Sequence, residues 1–330
     1  MSGNLLKYLN RPISRKSFLQ KSSLSFLLAG APSFGAVLAF EKSDKLSSES
    51  GSTDNQIRSI SYNVFNGCIG YKGINGRELP EGDVSTLVKT ARDMKQVPRR
   101  IMMELELYQP NIINFAEGPK EDVVAEMAKM LNMNYAFFPG AQDGKGGFPG
   151  AILTNYEIIS HRTRPFTDKK NDAKELFTRH WGKAILRTPA GKKLVVHSAH
   201  LWPFKKEPRD TEIRMEEIRE LVAAIRTDLK TVDSVILQGD LNHSPDMPEY
   251  QKLREAGLID TFVAAGVGDG NTIDGIKPSR RIDFILAQGE IAKNIKQNRA
   301  LFEGNFRTNP DDPKGWALSD HLPVLADFIL

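Results

Sequence analysis

Ser234-Val-Ile-Leu-Gln-Gly-Asp-Leu-Asn-His-Ser-Pro245 opens with an apolar run and ends in polar residues and a turn. Val235–Leu237 is short, branched-aliphatic and bounded by turn residues, which predicts a buried strand. Asp240 and Asn242 are two residues apart, so an extended backbone would send both side chains the same way beyond the strand's carboxyl end. A carboxylate beside an amide suits metal and oxyanion chemistry. The same pair also makes an ordinary turn, so its meaning depends on what the rest of the chain supplies.

On the N-terminal side, Ile218, Leu221, Val222, Ile225 and Leu229 recur on one face of a predicted helix over 210–229. Before it, Ala184–Thr188 and Lys193–Leu201 read as the arms of a hairpin closed by Pro189-Ala190-Gly191. His197 and His200 are three apart and therefore face opposite sides of their strand. His200, at the strand end before Trp202-Pro203, is the functional candidate, and His197 is a packed or surface histidine. Ala151–Ser160 is expected to be one strand. Gly140–Gly150 is a glycine-rich turn, and no Lys-Ser or Lys-Thr follows to make it a nucleotide loop.

Further back, Ile57–Val64 alternates like a strand and carries Asn63 near its end. Helix is predicted from about Val84, with Pro98 as a break, and again from Arg99 to Tyr108. Asn111-Ile-Ile-Asn-Phe-Ala-Glu117 is a buried strand with a carboxylate at its end, and Val123, Met127, Met130 and Leu131 mark a helix beyond it. Toward the C-terminus, 248–256 is a short helix stopped by Gly257. Arg281–Leu286 is a strand bearing Asp283, and Leu322–Leu330 closes a sheet just after Ser319-Asp320-His321.

The chain has 330 residues, 40% of them hydrophobic and 26% charged, which is ordinary globular composition. Cys68 is the only cysteine, so neither an intrachain disulfide nor a cysteine-built zinc site can form. Residues 1–39 look like an export signal. Lys7, Arg11, Arg15, Lys16 and Lys21 precede an uncharged Leu-, Ala- and Phe-rich stretch from Ser22 to Phe40, and Val37-Leu38-Ala39 fits a small-residue cleavage site. Ser14-Arg15-Lys16-Ser17-Phe18-Leu19 is similar to a twin-arginine motif, with Lys16 where the second arginine would stand. An uncleaved membrane anchor is the alternative. Residues 40–56 form a Ser-rich linker, and a single domain spans 57–330. The net charge of +4 comes from the signal. Without its five basic residues, 40 basic side chains face 41 acidic ones, which gives no overall electrostatic argument for a nucleic-acid partner.

The polar residues at strand ends are Asn63, Glu117, His200, Asp240, Asn242, Asp283, Asp320 and His321. Glu117, Asp320 and Asn63 offer hard oxygen donors suited to Mg2+, Mn2+ or Ca2+. Histidines beside carboxylates move protons near neutral pH. There is no Gly-x-Ser-x-Gly elbow and no His-Glu-x-x-His zinc helix.

In order along the chain, Ser61-Tyr-Asn-Val64, Gln109-Pro-Asn-Ile-Ile-Asn-Phe-Ala-Glu117, Ala151-Ile-Leu153, Ser198-Ala-His-Leu201, Gly239-Asp-Leu-Asn242, Arg281-Ile-Asp-Phe284 and Ser319-Asp-His-Leu-Pro-Val324 resemble the motifs of the endonuclease/exonuclease/phosphatase superfamily. The resemblance covers 57–330. It departs at Ala116-Glu117-Gly118, where the superfamily usually has Gln-Glu. It implies an α/β fold, a four-layer α/β/β/α sandwich of two packed mixed sheets flanked by helices. It also implies divalent-metal-dependent hydrolysis of phosphoesters. Glu117 would bind the metal, with Asn63 and Asp320 as ligands or supporting contacts. Asp283 would hold His321, which takes the proton of an attacking water that Asp240 orients. Asn242 would contact the phosphate, and His200 would serve the leaving-group side.

His200 separates the chain from abasic-site endonucleases, which generally carry tyrosine there, and leaves deoxyribonuclease-like and sphingomyelinase-like members. The leading expectation is an exported phosphodiesterase or phosphatase acting on a small phosphoester or lipid headgroup. A secreted nuclease is the enzyme rival. A non-catalytic binding protein of the same fold is the other alternative, and it would have lost Asp240, Asp283 or His321, all of which are present.

Overall fold

The computed structural model describes residues 55–71, 73–74, 77–78, 96–140, 147–164, 176–303, 306 and 317–330. The expected export signal, nearly all of the expected linker, the helix expected from Val84 and most of the expected Gly140–Gly150 turn lie outside them. Among the described residues, two six-stranded mixed sheets carry the fold. The first runs β13 (Ile295–Ala300), β14 (Val324–Ile329), β1 (Gln56–Asn63), β4 (Ile112–Ala116), β6 (Gly150–Thr154) and β5 (Asn134–Phe138). The second runs β11 (Ile259–Asp260), β12 (Asp283–Gly289), β10 (Ser234–Asp240), β9 (Lys193–His200), β8 (His180–Arg187) and β7 (Glu157–Thr163). A two-stranded ribbon, β2 (Gly73–Ile74) and β3 (Arg77–Glu78), stands apart.

Three apolar layers show how the sheets stack. Alternate residues of β1, β4 and β6 (Ile60, Tyr62, Ile113, Phe115, Leu153) bury against α1 (Gln96–Glu106) and α2 (Glu121–Met130) through Ile101, Leu105, Val124 and Met127. In the second sheet, Val195, Val235, Leu237, Phe284 and Leu286 pack on α3 (Pro208–Asp228) and α4 (Pro248–Glu255) through Ile218, Leu221, Ile225 and Leu253. The opposite set, including Ile57, Ile112, Ile152, Leu194, Val196, Ile236, Ile285 and Phe328, forms the core between the sheets. Period-two alternation thus gives each strand one helix-facing and one sheet-facing side, and the result is the expected α/β/β/α sandwich.

The sheet-facing sets change character along the strands. Read toward the C-terminus, β1 gives Ile57, Ser59, Ser61, Asn63; β9 gives Leu194, Val196, Ser198, His200; β10 gives Ile236, Gln238, Asp240. These strands run parallel in the pairs β1–β4 and β9–β10, so their polar ends gather at one edge of the sandwich. Small polar contacts bridge the transition: Ser59 Oγ donates to Gln238 Oε1 at 2.6 Å across the sheets, and Asn114 Nδ2 donates to Ser61 Oγ at 3.1 Å.

Several elements differ from expectation. Ala151–Ser160 is two strands rather than one: β6 ends at Thr154, and β7 begins at Glu157 in the other sheet. Thr154 Oγ1 accepts from Tyr156 N at this crossing, a local turn that apolar pattern alone does not signal. β8 starts four residues earlier than the apolar run suggests, because His180 and Gly182 extend the sheet-facing row. Pro98 lies inside α1, not at a break.

Gly239 has φ +145°, and a Cβ there would lie 1.9 Å from the Ala199 carbonyl oxygen. That contact is with backbone of the neighbouring strand and has no rotamer by which to relax. Gly239→Ala is expected to destabilise the protein by about 3 kcal/mol or more, read as a lowered denaturant midpoint with unchanged slope.

Candidate active site

Strand register places three of the expected residues in one row. Asp240 pairs with His200 on β9 and with Asp283 on β12, and His200 pairs in turn with His180 on β8. In-register neighbours share a face, so His180, His200, Asp240 and Asp283 all point between the sheets. His200 Nε2 lies 3.4 Å from Asp240 Oδ2.

From the first sheet, Asn63 reaches across. Its Nδ2 donates to Asp240 Oδ2 at 3.1 Å and to Glu117 Oε1 at 3.3 Å, while its Oδ1 accepts from Phe65 N at 3.1 Å. Its amide group therefore faces the carboxylates, and its oxygen is taken up by the backbone. Glu117 follows β4 with φ +51°, and its Oε2 accepts from Asn66 N at 3.0 Å. Asn242 has φ +53°, so it leaves the strand by a left-handed turn and not by the strand alternation the sequence suggested. Its N–H donates to Asp240 Oδ1 and its Nδ2 to the Leu201 carbonyl, both at 3.0 Å.

The last segment completes the group. Ser319 Oγ donates to the Asn63 carbonyl at 2.6 Å and accepts from His321 N at 3.1 Å, fixing the turn that carries Asp320 and His321. His321 Nδ1 and Asp283 Oδ2 are 2.8 Å apart, and His321 Nε2 is 3.8 Å from Asp240 Oδ2. Thr272 Oγ1 donates to the same Asp283 oxygen at 2.6 Å. The structure thus brings together Asn63, Glu117, His200, Asp240, Asn242, Asp283, Asp320 and His321. His197 points to the helix side, where Nε2 meets Asp228 Oδ2 at 2.9 Å and Nδ1 accepts from Trp181 Nε1 at 3.1 Å. That buried pairing makes it a structural histidine.

Burial dominates the electrostatics. It pushes the Asp240 carboxyl up to about 7; His321 pulls it back, while Asp283 and Glu117 add repulsion. Burial likewise raises Asp320 to about 6. For His321 burial acts downward, but Asp283, Asp320 and Asp240 outweigh it and hold the ring's pKa well above the usual histidine range. For His200 burial acts with Arg179, His180 and His321, and its pKa falls well below that range. Two histidines flanking one carboxylate are thus driven apart in proton affinity, the arrangement acid–base chemistry uses.

This crowding of acids fits a divalent cation. Asp283 Oδ1 is buried without a hydrogen-bond partner, and repulsion among Glu117, Asp240, Asp283 and Asp320 is what a bound positive charge relieves. One atom from each of Asp240, Asp283 and His321 also falls within a 4.8 Å cluster of metal-ligating type. There, however, the Asp283–His321 bond and the Thr272 hydroxyl already engage Asp283 Oδ2.

Sequence reasoning missed Thr272, Ser319 as a turn-former, His180 and Arg179. His180 was legible as the start of an alternation, His180-x-Gly182-x-Ala184. Thr272 sits in a glycine-rich loop whose return to the site only the fold reveals.

With this geometry in place, the comparisons identify the class. Solved structures with the same sandwich include an endonuclease/exonuclease/phosphatase family protein from Bacteroides thetaiotaomicron (17% identity, TM-score 0.61, 83% of this chain and 95% of that one). A mannosyl-6-phosphatase from the same organism (18%, 0.60, 83% and 100%) and beta toxin from Staphylococcus aureus (17%, 0.56, 82% and 99%) are also similar. At these identities the likeness is one of fold. No curated protein matches the chain. The model of the Endonuclease/Exonuclease/phosphatase family matches residues 60–321, and the chain belongs to that family.

The shifts carry a pH dependence for the metal-free protein. Above about pH 7 the unfolded chain has released its carboxyl and most of its histidine protons, so His180, His197, His200 and His243, which burial keeps neutral in the fold, no longer offset the groups raised there. The folded protein still holds protons on Asp240 and His321, and on Glu217, which burial raises to about 7. The folded state then binds more protons, so stability falls as pH rises, by up to about 1.4 kcal/mol per pH unit for each proton. In chelator the melting temperature is expected to be lower at pH 8 than at pH 7, and Asp240→Asn should shrink the difference. A flat or rising profile would contradict the assignment.

Proposed function

We propose that the protein is an exported, divalent-metal-dependent hydrolase of phosphoesters, with a small phosphoester or a lipid headgroup as substrate. The observation that carries this reading is the cluster of four carboxylates, Asp240 and Asp283 buried and Glu117 and Asp320 half-buried, flanked by two histidines of opposite proton affinity. Family membership supports phosphoester chemistry in general. The near-balanced charge beyond residue 39 and the fold shared with a mannosyl-6-phosphatase support a small substrate over a polyanion. Export rests on the basic, then apolar, then small-residue pattern of residues 1–39.

Glu117 and Asp320 would hold Mg2+, with Mn2+ or Ca2+ as other hard cations of the right class. Bound there, the ion supplies charge stabilisation to a phosphoryl oxygen. The protein's own groups do the rest. Asp283, braced by Thr272, orients His321 through Nδ1 and leaves Nε2 facing the reacting space near Asp240. While the carboxylates are uncompensated, His321 stays protonated. Compensation of their charge lowers its proton affinity and lets Nε2 accept a proton from water. Asp240 orients that water, Asn242 stands beside the phosphate, and His200 serves the leaving oxygen.

The test is a panel of mannose 6-phosphate, bis-nitrophenyl phosphate, sphingomyelin vesicles and plasmid DNA, assayed with magnesium and with chelator. Magnesium-dependent turnover of a small ester or lipid headgroup is expected; turnover of plasmid alone would favour a nuclease. Glu117→Gln should weaken magnesium binding by calorimetry about tenfold or more, with activity partly restored at high magnesium. Unchanged affinity would move the ion to the Asp240–Asp283–His321 group. N-terminal sequencing of the exported protein should begin near Phe40, and recovery of the intact Met1 chain from the cytoplasm alone would overturn export.

A further inference from the structure

Arg179 immediately precedes His180, the outermost residue of the row that continues through His200, Asp240 and Asp283. β8 is antiparallel to β9, so its first residues lie at the same sheet edge as His200. There the Arg179 guanidinium lies over the Phe148 ring, 4.5 Å from its centroid, and the Phe148 ring is 5.9 Å from that of His200. The shelf is built rather than incidental. His180 Nδ1 is 3.1 Å from the Phe148 carbonyl and its Nε2 is 2.9 Å from Ser198 Oγ. Gly150 makes room for that ring, since a Cβ there would fall 2.1 Å from His180 Nε2.

Among the described residues the guanidinium so positioned has no protein acceptor. Arg179 Nε is buried and has no hydrogen-bond partner, and among the described residues Arg179 forms no ion pair. Other arginines of this protein behave differently. Arg58, Arg164, Arg214 and Arg281 each meet a carboxylate, namely Asp327, Glu220, Glu249 and Asp260. Arg164 and Arg281 also stack on aromatic rings, so stacking here does not by itself replace a carboxylate partner. Leaving a buried donor unmade costs free energy, and a ligand oxygen would recover it. The stack on Phe148, whose ring neighbours His200, sets Arg179 at the edge of the reacting space, where Glu117 and Asp240, and Glu217 on the helix side, act on it electrostatically.

We propose that Arg179, held over Phe148 by His180, donates to a non-bridging oxygen of the substrate's phosphoryl group, as a protein cation additional to the metal. This rests on the phosphoester-hydrolase reading above. A planar fork of donors matches phosphoryl oxygens better than a point charge does, so lysine would replace arginine only in part.

The experiment measures turnover of the best small phosphoester, inhibition by inorganic phosphate and thermal melting for the magnesium-loaded full chain. Arg179→Ala is expected to lower kcat/KM about a hundredfold and to raise the phosphate inhibition constant about tenfold or more. The melting temperature should fall only slightly, since the stack on Phe148 is lost but no protein acceptor is. Arg179→Lys should recover part of both effects, and Phe148→Leu should weaken phosphate inhibition by a smaller factor. An Arg179→Ala protein that melts lower but is inhibited by phosphate as the wild type is would overturn the assignment. If the wild type hydrolyses no phosphoester, calorimetry with inorganic phosphate still decides. Binding lost in Arg179→Ala upholds the anion contact while the hydrolase reading fails, and equal binding overturns the contact.

Discussion

One amide group joins the two sheets where the chemistry gathers. Asn63 Nδ2 donates both to Asp240, at the end of a strand in one sheet, and to Glu117, just past a strand in the other. Two buried or partly buried carboxylates within reach of one donor would separate if the sheets were free to slide. They are not free, because the apolar residues between the sheets set the distance and Ser59–Gln238 fixes the alignment. The site is thus a consequence of sheet packing, and its geometry is as rigid as the core beneath it.

That placement has an electrostatic cost that the remaining residues partly offset. Asp240 and Asp320 are raised by burial, and His321 answers with a raised proton affinity of its own. His200 is only 3.4 Å from the same Asp240 oxygen, yet it goes the other way, because burial combines there with neighbouring cationic groups. One carboxylate therefore separates a proton-rich side from a proton-poor side. With His321 as the base, the proposed hydrolysis requires that the carboxylates' charge be compensated first, which lowers the proton affinity of His321.

Much of this was legible in the sequence. Strand ends bearing Asn63, Glu117, His200, Asp240 and Asp283 could be read because short apolar runs stop abruptly at polar residues. The opposite facing of His197 and His200 follows from period two. The sandwich and the meeting of eight distant residues came only from the order of motifs, since no spacing encodes a contact between Asn63 and Asp240. The split of β6 from β7 was illegible because two short apolar strands in succession read as one. Asn242 broke the strand rule because it lies in a left-handed turn, where alternation no longer applies. Arg179 carried no local signal at all. Its position acquires meaning from His180 beside it and from Phe148 and Gly150, which a separate segment brings to the same edge.

The claim that these side chains act as one unit is tested most directly by a double-mutant cycle on His321 and Asp283. Turnover and thermal melting are measured for His321→Ala, Asp283→Asn and the two combined, with the metal saturating. Each single change should lower turnover by about two to four orders of magnitude, and the double should be scarcely worse than His321→Ala. Losses in turnover that multiply, with melting temperatures falling in step, would mean that the pair only supports the fold, and would contradict the account.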